Sequence, residues 1–146
     1  REETFTGEAV FGGLISYGIG AGFNYDDARG KRVAICGMGS LAVESLRTCL
    51  EKSARTCYIV CRRRNLAMPR AVSWFINQSA FPPTVAEVLM AMAPMYHISN
   101  DDPWAYSAVS PDAALIQQQT RFSVSDFLFI AQYYGRAEVV LGEVKR

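Results

Sequence analysis

The feature that most limits what this chain can fold into is a stretch of about 30 residues that joins an apolar run, a glycine turn, a helical repeat and a second apolar run. Lys31–Cys36, KRVAIC, passes from a basic start into apolar residues and reads as a strand buried on both faces of a parallel sheet. It stops at Gly37. From Ser40 to Lys52 the residues Leu41, Ala42, Ser45, Leu46, Cys49 and Leu50 recur at helical spacing, with Glu44, Arg47, Thr48 and Glu51 on other faces. Thr56–Cys61 is again apolar and predicts the next strand. The expected class is therefore α/β: a Rossmann-like three-layer domain with a parallel sheet and a mostly helical insertion between its second and third strands.

Around this unit the chain changes character. Residues 1–30 carry Gly7, Gly12, Gly13, Gly18, Gly20, Gly22 and Gly30, the composition of a connection with at most one short strand, Leu14–Ile19. The six prolines, Pro69, Pro82, Pro83, Pro94, Pro103 and Pro111, all fall within residues 69–120 and are expected to break that insertion into short helices and loops. Ala71–Gln78 and Val85–Met92 are the expected helices, the second with Val85, Val88, Leu89 and Met92 as a core stripe. Ser123–Asp126 offers helix caps, Phe127–Tyr134 the helix, Gly135 its end and Ala137–Leu141 a third strand. Residues 31–146 then form one domain.

Composition excludes several classes. Fifteen basic and fourteen acidic residues leave a net charge of +1, so no global field marks a nucleic-acid binder. No apolar run approaches the roughly 20 residues of a membrane-spanning helix, and no charged-then-apolar leader is seen. The reading is a soluble, cytoplasmic protein. Starting at Arg1 rather than methionine, the chain is expected to be a piece of something longer. Cys36, Cys49, Cys57 and Cys61 include no CxxC pair, and a Cys57–Cys61 bridge would have to span about 13 Å along one strand; core packing is the expected role. The lone His97 reads as a surface or capping residue rather than a metal ligand.

Chemistry is concentrated in Gly37-Met38-Gly39-Ser40-Leu41-Ala42, a GxGxxA between strand and helix. The first glycine permits a tight turn, the second admits a pyrophosphate to the backbone, and the small third residue lets helix and strand pack closely. The phosphate would lie on the helix N-terminus, where free N–H groups and the macrodipole favour negative charge. An NAD-selective site carries an acid about 20 residues further on. Here the second strand ends instead in Cys61-Arg62-Arg63-Arg64. Arginine pairs bidentately with phosphate and stacks on adenine, so the cofactor expected is NADPH, its 2′-phosphate held by Arg62 and Arg63, with Arg64 and Arg70 as further candidates. Arg55 and Arg70 extend a basic window, residues 54–70, with five arginines and no acid. Gly18–Phe23 also resembles a glycine fingerprint, but the roughly ten residues before the next strand leave no room for a helix and return strand.

These residues resemble the NADPH-binding domain of flavin-dependent monooxygenase-like proteins. The resemblance is sharp over residues 30–70, through Gly30-Lys31-Arg32-Val33, the GxGxxA with Val43-Glu44, Cys61-Arg62-Arg63-Arg64 and Met68-Pro69-Arg70. It is sharp again over 122–146, through Ser123-Val124-Ser125-Asp126-Phe127 and Gly142-Glu143-Val144. Phe5-Thr6-Gly7 is similar to the start of the family's FxGxxxH motif, with Phe11 where its histidine would stand. The resemblance implies a two-dinucleotide enzyme in which NADPH held here passes hydride to FAD held by a separate domain of the same polypeptide, and the reduced flavin activates O₂ for oxygenation of a small-molecule substrate. In those roles Gly37, Gly39 and Ala42 admit the pyrophosphate, with Met38 and Leu41 in the same turn, and Ser40 bonds it. No catalytic or metal-binding residue is expected within the chain. A flavoprotein reductase of the disulfide-reductase type, or a non-catalytic NADP(H) sensor, are the alternatives.

Overall fold

Thr56–Cys61 (β2) is paired on both sides by parallel strands, Arg32–Cys36 (β1) and Ala137–Leu141 (β7), in the order β1-β2-β7. The computed structural model describes residues 7–17, 23–78, 80–81, 83–98, 100–110, 113–116 and 123–144. Across the sheet, Val33, Cys57 and Ala137 form one row and Ile35, Ile59 and Val139 the next. These rows face the core, where Cys57 and Ile59 are fully buried. The alternate row of Ala34, Tyr58 and Glu138 faces away, with Ala34 and Glu138 exposed. Period-2 alternation is what a sheet with one covered face produces.

The expectation of a strand buried on both faces, within three layers, is corrected here. β1 is an edge strand whose residues alternate between exposed and half-buried. The order β1-β2-β7 advances in one direction, and connections of the usual right hand then place the helices that pack on the sheet on one of its sides. Ser40–Glu51 (α1) packs on β1 and β2 and against Phe127–Tyr133 (α4), which covers β7. The described residues thus form a small parallel α/β unit of two layers, consistent with a Rossmann-like arrangement of only three strands.

Local sequence explains the helices. In α1, Ala42, Val43, Leu46 and Cys49 are buried, and the exposed side carries Arg47 bonded to Glu51 at 2.8 Å. The helix ends where Ser53 turns to φ +67°. Arg70–Gln78 (α2) and Val85–His97 (α3) cover the two helices expected in the insertion. A full capping box starts α3: Thr84 and Glu87 exchange side-chain and backbone bonds, which holds the Glu87 carboxyl below the usual range. Leu89 and Met92 are fully buried, so the stripe is core filling. α3 does not stop at Met92 but continues through Pro94. The turn beyond the proline carries Tyr96, whose hydroxyl donates to Ala67 O at 2.9 Å and accepts from Ala67 N at 2.7 Å. Tyr96 also meets Phe129 edge to face at 5.2 Å. His97 is exposed in the last turn.

Other parts differ from the sequence reading. The insertion also contains an antiparallel strand pair, Ser107–Ser110 (β4) with Ala113–Ile116 (β5), and it is flanked by a parallel pair, Ala67–Met68 (β3) with Ser123–Val124 (β6). Residues 14–17 are not in a strand, and the glycines at 18–22 lie outside the described residues. Residues 23–30 are packed rather than a loose connection: Ala28 is buried, Tyr25 Oη lies 3.1 Å from Ser45 Oγ, and Asp26 pairs with Lys52 at 3.0 Å. Cys49, Cys57 and Cys61 are buried, whereas Cys36 is exposed on the uncovered face. Cys49 and Cys57 are free thiols that shift one another, Cys49 downward and Cys57, which burial also raises, upward.

One-sided burial makes a direct prediction. Ile59→Ala should destabilise the chain by about 2–5 kcal/mol in urea unfolding, while Val140→Ala on the uncovered face should cost under about 1 kcal/mol.

Candidate functional site

Parallel register decides which segments meet. With Cys36 opposite Val60 and Cys61 opposite Leu141, all three strands end at the same edge of the sheet. The glycine turn after β1 and the arginine run after β2 therefore emerge side by side. Gly142, following β7, joins them by donating its N–H to Cys61 O at 2.9 Å.

The two glycines of the turn are there for different reasons. Gly37 sits at φ +101°, where an L side chain is strained, and its N–H donates to Val60 O at 2.7 Å. Gly39, at φ −91° and ψ 178°, is extended backbone that any residue adopts, and a Cβ placed on it would meet nothing within 4 Å. No described residue requires glycine there. Met38, between them, buries its side chain in the core. Ala42 is buried where α1 approaches the sheet, as a small third residue allows.

Gly39 is also the N-cap of α1, so no side chain caps the helix, and its first turn contains no acid. The first intrahelical bond runs from Val43 N to Gly39 O at 3.2 Å. The N–H groups of Ser40, Leu41 and Ala42 precede it and lack acceptors within the helix. Ser40 and Leu41 are exposed. An uncapped helix start with free donors and no competing carboxylate suits an anion.

Among the arginines the structure separates roles that sequence could not. Arg62 and Arg63 are exposed and form no ion pair with a described residue. Arg64 is turned back onto the fold, its Nη1 2.6 Å from Asp101 Oδ2 with both side chains largely covered. Arg70 opens α2, its backbone N–H donating to Asp126 Oδ1 at 2.8 Å and its Nε 4.0 Å from Asp126 Oδ2. Asp126, expected to cap α4, thus serves the start of α2 instead, and Ser125 Oγ accepts from Phe127 N at 3.2 Å. Arg55 precedes β2 and lies at the opposite edge, since six residues of strand span about 20 Å. The basic window is two separate places rather than one patch.

A residue that sequence reasoning passed over joins the two segments. Asn65 Nδ2 donates to the Met38 carbonyl at 3.0 Å, across 27 positions of chain. Its only signal in the sequence is an amide between three arginines and the fully buried Leu66. Elsewhere, a cleft of about 340 Å³ lies between α2 and α3, with Met68, Ile76, Asn77, Val85 and Val88 in its walls. It includes no residue of the turn or of the arginine run. Phe5 and Thr6 are outside the described residues, and Phe11 is exposed.

The contrast between the glycines is testable by unfolding alone. Gly37→Ala should cost about 1–2 kcal/mol because of its positive φ. Gly39→Ser should stay within about 0.5 kcal/mol of the parent, on the stabilising side, because serine is a better N-cap. Comparison with protein-family models, with curated proteins and with solved structures gives no match.

Proposed function

We propose that this chain is the NADPH-binding part of an FAD-dependent monooxygenase-like oxidoreductase, working with an FAD-binding domain of the same polypeptide. The observation that carries this reading is the edge where an uncapped, acid-free helix start behind Gly39 stands beside Arg62 and Arg63. A dinucleotide with a 2′-phosphate has anionic groups suited to both places. In open α/β sheets ligands bind outside the carboxyl ends of the strands, which is the edge concerned.

The residues present fit that cofactor. The pyrophosphate would approach the backbone at Gly37 and Gly39, accept from the N–H groups of Ser40, Leu41 and Ala42, and take a further bond from the Ser40 hydroxyl. Arg62 and Arg63 would hold the 2′-phosphate, where an acid selective for NADH is absent. Arg64 keeps its guanidinium on Asp101 and contributes by shaping the run. Bound NADPH supplies hydride to FAD, whose reduction enables O₂ to be used on a small-molecule substrate. The chain's own work is to bind and orient. A reductase of the disulfide type would need an accessible cysteine pair, and Cys49, Cys57 and Cys61 are all buried.

Calorimetric titration with NADPH, NADH and FAD tests the proposal. Tighter binding of NADPH than of NADH is expected, and equal affinity for both would overturn the 2′-phosphate assignment. Arg62→Ala with Arg63→Ala should weaken NADPH by about 1.5–3 kcal/mol for each charged hydrogen bond lost and leave NADH nearly unchanged. Gly39→Ser should abolish binding of both, since the added side chain enters the approach and its hydroxyl competes for the same N–H groups.

A further inference from the structure

We infer that Asn65 is a positioning residue that couples the two phosphate subsites, holding the arginine run at a set distance from the glycine turn so that one dinucleotide engages both. This rests on the dinucleotide reading above and adds to it a determinant of cofactor preference outside the glycine and arginine motifs.

Three observations support it. Asn65 bonds directly to the turn, through Nδ2 to the Met38 carbonyl at 3.0 Å. The amide orientation is chemically fixed, because a carbonyl only accepts and therefore must face the NH₂ end. On either side of Asn65 the run is anchored, by the Arg64–Asp101 pair and by the fully buried Leu66. Arg62 and Arg63 extend from this anchored base, so the position of the base sets where their guanidiniums can reach. Finally, Asn65 Oδ1 is buried and accepts no hydrogen bond from a described residue. A buried acceptor without a donor disfavours folding, and an apolar residue here would avoid it. An amide at this position is explained if its other end does something that the core does not require.

Two subsites linked by one ligand cooperate only when their separation matches that ligand. Breaking the tether should therefore affect the linked ligand more than its parts. Asn65→Leu removes the orphaned acceptor while leaving the Met38 carbonyl without its donor, so little net change in the unfolding midpoint is expected. The probes are NADPH, which engages both subsites, NADH, which engages the glycine turn, and 2′-AMP, which engages the arginines. For Asn65→Leu the preference for NADPH over NADH should fall about tenfold, equivalent to roughly 1.4 kcal/mol, with 2′-AMP affinity within about twofold of the parent. An unchanged preference would overturn the inference, as would an equal loss for 2′-AMP, which would mean that Asn65 acts on the arginines alone. Where Asn65→Leu does not fold, Asn65→Gln keeps the amide and lengthens the tether by one methylene; a reduced preference supports coupling and an unchanged one refutes it. A parent chain that binds none of the three probes would defeat the dinucleotide reading itself, a result distinct from a parent that prefers NADPH and a variant that does so equally.

Discussion

The parallel pairing of β1 with β2, in register from Arg32 opposite Thr56 to Cys36 opposite Val60, is the interaction on which the rest of the structure depends. It aligns the carboxyl ends of the strands and so creates the edge where the glycine turn and the arginine run meet. It also sorts side chains by row, sending Val33, Ile35, Cys57 and Ile59 toward the helices. A slip of one residue would turn that row to the uncovered face and part the turn from the run. The fold and the candidate site thus rest on the same hydrogen-bond ladder.

At that edge, neighbouring residues of one charge have unlike environments. Arg64 is held by Asp101, Arg62 and Arg63 are left to solvent, and Asn65 reaches back to Met38. Four consecutive positions therefore divide between holding the loop and facing outward. On the dinucleotide reading proposed above, an anchored loop loses less conformational freedom when it meets the ligand, and the ion pair and the amide bond supply that anchoring without direct contact. The same economy of parts is seen at Asp126, which lies at the start of α4 yet serves the N-terminus of α2.

Much of the α/β unit was legible because its signals are local. Thr56–Cys61 matches the expected strand at both ends, bounded by polar residues, and Gly135 at φ +64° ends the last helix as a glycine stop should. The turn was legible because Gly37, at φ +101°, has a geometry that few residue types other than glycine suit. The single covered face was not, because an apolar run such as KRVAIC reads alike in a two-sided and a one-sided sheet. Nor was the passage of α3 through Pro94, where tertiary bonds of Tyr96 outweigh one lost backbone bond. The packing of residues 23–30 onto α1 escaped notice for the same reason: glycine content describes freedom in the unfolded chain, whereas Tyr25 and Asp26 bond to Ser45 and Lys52, which are remote in sequence.

By itself the sequence determined the order of strand, glycine turn, helix and strand, the left-handed demand at Gly37, and the run of three arginines with no acid after the second strand. These follow from residue type and short-range spacing, which act through backbone sterics and charge. The tertiary structure alone decided which arginines face outward, that Arg55 lies at the far edge from them, that Gly39 opens on empty space, and that Asn65 ties the run to the turn. Each of those depends on strand direction and register, which place residues 27 positions apart within 3.0 Å and separate others that the sequence sets close together.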